Sequence, residues 1–125
     1  MGWGVAGAMA ARLAFPRRPV ILLSGDGAFT FNVADLESAV RQDLPFVALV
    51  ADDQGWGITR LGQMQRFGVA IASSLGPIAF DQLALSLGAR GMRATTPTEI
   101  VRGLRQGIDQ PVVTVVHVPI TGGNP

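Results

Sequence analysis

Two acidic turns carry the chemistry legible in this chain: Gly25-Asp26-Gly27-Ala28 and Asp52-Asp53-Gln54-Gly55. Each follows an apolar, strand-like run, residues 20–24 and 46–51. Carboxylate and carbonyl oxygens are hard donors for a divalent cation, and glycine lets the backbone approach anionic oxygens. Aspartates flanked by glycines therefore suit a cation that carries a phosphate ligand. If the two strands are parallel neighbours, both turns open at one edge of one sheet, where α/β sheets hold their ligands.

The elements that must position these turns follow from periodicity. Residues 1–15 have small residues at Gly4, Gly7, Ala8 and Ala11 and larger apolar ones at Val5, Met9 and Leu13, a helical spacing that Pro16 ends. The run Val20-Ile21-Leu22-Leu23 reads as a strand buried on both faces. Asn32 is placed to cap a helix over residues 32–42, with an apolar stripe at Val33, Leu36 and Val40, and residues 46–51 form a second buried strand. Residues 58–77 are punctuated by glycine and read as a functional loop, with a short helix possible over 58–67. Phe80, Leu83, Ala84 and Leu87 form a helical stripe closed by Gly88, and a short strand follows over 89–93. Thr96-Pro97-Thr98-Glu99 is a capping box for a helix through Ile108. Residues 112–118 are the final strand and residues 122–125 a frayed tail. Strands alternating with helices predict an α/β domain with a mainly parallel sheet.

Composition narrows the class. With 125 residues the chain is one domain, 1–125. Its apolar share of 48% against 15% charged residues, with a mean hydropathy of +0.35, predicts apolar surface buried against something else, as in an oligomer or a part of a larger protein. No apolar run approaches a membrane span, so a soluble, cytoplasmic protein is expected. The ten basic residues are all arginine and are scattered, which does not resemble a nucleic-acid surface. Cysteine is absent, which excludes disulfides, thiolate metal sites and a cysteine nucleophile.

Asp26 and Asp53 stand 27 positions apart, the length of one strand-helix-strand step. With Gly25-Asp26-Gly27, Met1-Gly2-Trp3-Gly4, Leu44-Pro45 and Gly55-Trp56-Gly57, this spacing resembles the diphosphate-binding domain of thiamine-diphosphate-dependent enzymes, most closely the acetolactate synthase and 2-oxoacid decarboxylase branch. The resemblance runs from Met1 to about Pro119, and where the family has an Asn pair this chain has Asp52-Asp53.

The resemblance implies a three-layer α/β/α fold and a magnesium ion held by Asp26, the Asp53 side chain and the Gly55 carbonyl, bridging to the two phosphates of thiamine diphosphate. It implies that Gly25 belongs to the cofactor site, that the backbone amides of Gly27 and Ala28 face the diphosphate, that Met1 lies under the cofactor, and that Gly57 and Ile58 flank it. It further implies a 2-oxoacid substrate and a homo-oligomer. The activating glutamate would come from a pyrimidine-binding domain of the same or a partner subunit, because Glu37 lies mid-helix and Glu99 serves a cap. No residue of this chain is then expected to be catalytic by itself. The family's domain begins one strand and one helix before Met1, so a truncated domain, inactive on pyruvate alone, is the expectation.

Blander readings stand beside these. A non-catalytic module that keeps the sheet and its subunit interface but not the cofactor is the alternative of a different class. A receiver-like phosphoacceptor domain fits worse, since it needs a late lysine and the chain has none. Asp52 reads as a turn or capping residue rather than a ligand. Trp56 reads equally as packing on the cofactor loop or filling a subunit interface. His117 reads as a hydrogen-bonded structural histidine whose partner the sequence does not reveal. Met64 and Phe67 read as core rather than as the lining of a substrate pocket, and Arg60 and Arg66 as solvated rather than as partners of a substrate carboxylate.

Overall fold

The computed structural model describes residues 1–121. Helix α1 (Gly4–Ala14) leads into strand β1 (Ile21–Gly25). A five-residue helix α2 (Asp26–Thr30) and helix α3 (Asp35–Arg41) then precede β2 (Val47–Asp52). Helix α4 (Gly57–Phe67) is followed by an irregular stretch, α5 (Phe80–Ser86), β3 (Arg90–Arg93), α6 (Pro97–Asp109) and β4 (Thr114–Pro119). Among the described residues the sheet has four strands in the order β1-β2-β4-β3, all parallel.

Side chains alternate across a strand, so each strand feeds two cores. Ala48 and Val50 of β2 and Val115 of β4 pack under α1, α2, α3 and α5 with Phe29, Leu36 and Phe80. Val47 and Leu49, with Val116 and Val118, pack on the other face under Ile100 and Leu104 of α6. Helices therefore cover both faces, and the layering is α/β/α.

Several boundaries differ from the sequence reading for physical reasons. β1 is an edge strand, and the helix on its second face, α6, packs over β2 and β4. Ile21 and Leu23, which share that face with Val47 and Leu49 in the parallel register, are 50% and 73% exposed rather than buried. The predicted 32–42 helix starts at Asp35. The Asn32 side chain donates to Asp35 Oδ2 (3.2 Å) instead of capping the backbone. The short helix within 58–77 forms as α4, ended by Gly68 at φ 69°. The predicted tail, 122–125, lies outside the described residues. The capping box forms as expected, with Thr96 accepting from the Glu99 amide.

Gly88 closes α5 at φ 80°, and the Ala89 amide reaches back to the Ala84 carbonyl at 2.9 Å. A Cβ at Gly88 would find room, its nearest neighbour being Val40 at 3.4 Å, so the cost of adding one is conformational. Gly88→Ala should lower stability by about 1 kcal/mol in urea unfolding, since an L-residue resists the left-handed region.

Candidate functional site

The carboxyl ends of β1 and β2 lie side by side, with Gly25 opposite Ala51 in the parallel register. The two acidic turns therefore meet, as their spacing predicts. The first is the start of a helix rather than an open turn: Gly25 is its extended N-cap (φ −81°, ψ 158°) and Asp26 its first residue. The second is a tight reversal in which Gln54 adopts a left-handed conformation (φ 55°) and its amide donates to Asp52 Oδ1 at 3.0 Å.

One hydrogen bond ties the turns together. The Gly55 amide donates to Asp26 Oδ2 at 3.0 Å, across 29 residues of sequence, and Asp26 is only 4% exposed. Burial pushes the Asp26 carboxyl above its ordinary value. The Gly27 and Gly55 amides pull against that, while Asp52 and Asp53 push with it. A buried carboxylate with two acidic neighbours is an electrostatic demand for a cation. Arg60 meets part of that demand from within the chain, since its Nη2 pairs with Asp53 Oδ2 at 3.3 Å.

All nine residues singled out from the sequence line one cleft of about 400 Å³. The first turn contributes Gly25, Asp26, Gly27 and Ala28, and the second contributes Asp53, Gly55 and Gly57. Met1 and Ile58 stand at its rim, 88% and 93% exposed. Trp56 also lines it, packed edge-on against Phe31 (5.8 Å between centroids) and so close over Gly27 that a Cβ there would meet the indole at 2.8 Å. A Cβ on Gly57 would lie 2.6 Å from Asp53 Oδ2. Gly25 differs from these two: its φ is ordinary, and a Cβ would meet protein no nearer than 4.0 Å. No contact within the chain requires glycine at that position, so its missing side chain serves the open space of the cleft.

Sequence reasoning missed the support beneath this edge. The segment after α4 returns to pair with the second turn: the Trp56 amide donates to the Ser73 carbonyl and the Leu75 amide to the Gln54 carbonyl, both at 2.8 Å. His117 does have partners, Asp52 and Asp81. Arg60 is engaged with Asp53 rather than simply solvated. Met64 and Phe67 belong to neither core nor cleft; both are exposed on α4, where Arg66 lies over the Phe67 ring.

The donor set fits a magnesium-diphosphate group. Among the described residues no three His, Cys, Asp or Glu side chains converge as a closed metal cage. Two carboxylates and one carbonyl oxygen at this edge are hard donors that would suffice for magnesium, which ordinarily takes few ligands from protein and completes its octahedron with phosphate and water. Among the described residues, no helix is long and apolar enough to cross a membrane.

Comparison with known proteins gives consistent matches. The family model for the thiamine pyrophosphate enzyme, C-terminal TPP binding domain, matches residues 1–118. The chain is 32% identical over 120 residues to an acetolactate synthase of Bacillus subtilis (strain 168), covering 96% of this chain and 21% of that protein. It is 34% identical over 109 residues to 2-hydroxyacyl-CoA lyase 2 of Mus musculus, covering 86% and 17%. In structure it matches the thiamine diphosphate-dependent 4-hydroxybenzoylformate decarboxylase of Rhodococcus jostii RHA1 with a TM-score of 0.93 at 25% identity, covering 100% of this chain and 24% of that one. The chain thus spans about a fifth of the length of the curated relatives it matches.

Proposed function

Because this chain belongs to the thiamine pyrophosphate enzyme family and carries its C-terminal TPP binding domain, we propose that it binds the diphosphate of thiamine diphosphate through Mg²⁺. It would do so as part of an acetolactate-synthase-like or 2-oxoacid-decarboxylating enzyme. Asp26, Asp53 and the Gly55 carbonyl hold the metal, and Gly25, Gly27 and Ala28 bring backbone close to the phosphates. Met1, Gly57 and Ile58 border the rest of the cofactor. The observation that carries this reading is the buried Asp26 carboxylate, raised by burial and fixed by the Gly55 amide at the floor of the shared cleft.

When bound, thiamine diphosphate supplies the electron sink that decarboxylation or carboligation of a 2-oxoacid requires. This chain's own part is to bind and orient. Gly55 keeps Asp26 aimed, Arg60 steadies Asp53, and Trp56 closes the side of the cleft over Gly27. The rim is apolar and open: Met1 and Ile58 stand exposed on it, and none of the residues of α4, which begins there, is buried. Such a surface suits a covering partner, which we assign to the pyrimidine-binding domain of the same or a partner subunit in a homo-oligomer.

A second reading, a module that keeps the fold without the cofactor, has one observation in its favour: Arg60 already places a cation on Asp53. Asp53→Asn discriminates. It removes a carboxylate from a partly exposed ion pair, worth at most about 1 kcal/mol, while keeping an oxygen donor for the metal. Calorimetric titration of the wild type and that variant should show magnesium-dependent thiamine diphosphate binding in both; no binding by either favours the second reading.

A further inference from the structure

His117 takes no part in the cofactor contacts proposed above, yet it is 2% exposed at the carboxyl end of β4, directly behind the acidic edge. Its Nε2 lies 2.8 Å from Asp52 Oδ2 and its Nδ1 3.2 Å from Asp81 Oδ1. A carboxylate oxygen accepts, so each ring nitrogen that carries a proton donates to the acid that faces it. The three groups come from three elements. Asp52 ends β2, Asp81 lies in the first turn of α5, and His117 faces them because it pairs with Val50 in the β2-β4 register. The edge of the imidazole also meets Phe80, with centroids 5.4 Å apart, and Phe80 meets Phe29 of α2 at 5.8 Å.

The second carboxylate oxygen of Asp52 is where this trio acts on the site. Asp52 Oδ1 accepts from the Gln54 amide, which fixes the left-handed residue of the turn. The next amide, Gly55, is the one that holds Asp26. A continuous hydrogen-bonded path thus runs from Asp81 through His117 and Asp52 to Gln54, one residue short of the amide that aims Asp26. Without His117, Asp52 would be a buried carboxylate with half its support gone, free to turn and release Gln54.

We propose that His117, backed by Asp81, is a positioning residue that holds the Asp52–Gly55 turn in the shape that presents Asp53 and Gly55 to the cleft. Its consequence for cofactor affinity rests on the thiamine diphosphate reading; the clamp on the turn does not. Phe80 and Phe29 give the same histidine a packed link to α2, which carries Asp26, so both acidic turns are referenced to one side chain.

Two measurements on the full chain separate these claims. Amide hydrogen exchange without ligand compares Gln54 and Gly55 with core amides such as Leu49 and Val115. His117→Val should accelerate exchange at Gln54 and Gly55 by about tenfold beyond any change at the core amides, the effect of losing a hydrogen bond to a charged group. Thiamine diphosphate affinity at fixed Mg²⁺ should fall by a similar factor. Asp81→Ala, which leaves the inner contact in place, should give the same local pattern more weakly and guards against a histidine variant that does not fold. Exchange that rises only in step with the core overturns the clamp; where the wild type binds, an unchanged affinity in the variant overturns the clamp's consequence for the cofactor site. A local exchange response in a chain that binds no thiamine diphosphate supports the clamp and overturns the cofactor reading.

Discussion

Asp26→Asn should abolish the joint stabilisation of the chain by Mg²⁺ and thiamine diphosphate and, at the same time, raise the Tm of the unliganded protein. Both effects come from one carboxylate. Asp26 is buried, and its carboxyl is raised first by desolvation and then by Asp52 and Asp53. An acid raised in the fold above its unfolded value contributes stability that is present below the unfolded value, 3.8, and lost as pH rises through the folded value. At neutral pH its charge therefore costs stability. Asparagine keeps the acceptor for the Gly55 amide and removes that charge, so the unliganded variant should melt higher than the wild type at pH 7. The gap should close in acid below 3.8. The same substitution deletes a carboxylate proposed as a metal ligand, so the upward Tm shift on adding metal and cofactor together should vanish. Thermal melts at pH 7 and at a pH below 3.8, with and without both ligands, check this. A variant that is destabilised at pH 7 and still responds to ligand would contradict the account of Asp26.

Gly91→Ala should be the most damaging single substitution to the fold outside the site. Gly91 lies on β3 opposite Val115, on the face covered by α5. A Cβ there would stand 1.9 Å from the Asp81 carbonyl oxygen and 2.6 Å from its carbon. Those are backbone atoms, so no rotamer change relieves the overlap and α5 must move off the sheet. That helix carries Phe80 and Ala84 into the main core and Asp81 to His117. Overpacking against backbone of this severity should cost about 3 kcal/mol or more, a Tm fall of roughly 10 °C or more. Gly76→Ala is the control: a Cβ there meets nothing within 4 Å, and its melt should match the wild type. A Gly91→Ala melt within 2 °C or so of wild type would show that α5 sits farther from β3 than described.

The site was more legible in the sequence than its support, and the reason is range. Gly25 and Ala51 pair because each ends an apolar run and one helical crossover separates them, a relation that spacing alone reveals. The capping box at Thr96 and the Gly88 stop are likewise local patterns. His117 was placed correctly in an apolar strand, but its partners lie 65 and 36 residues away. No local period marks such a contact. The pairing of Gln54 and Trp56 with the stretch after α4 is equally invisible, because that stretch has no period of its own. The exposed face of β1 follows from which strands α6 covers, and an apolar run reads the same whether one face or two are buried. The helix expected over 32–42 begins late because Asn32 spent its side chain on Asp35 and left the backbone to a turn.

The most direct test of the central claim is a calorimetric titration of this chain with thiamine diphosphate, in Mg²⁺ and again in chelator. In the proposed site three protein oxygens would leave the metal incomplete without phosphate, and the acidic edge would repel phosphate without metal. Each ligand should therefore raise the affinity for the other by the same factor. The account predicts saturable binding with Mg²⁺ and a loss of at least about tenfold in affinity without it. Equal affinity with and without metal, or no binding in either, would contradict it.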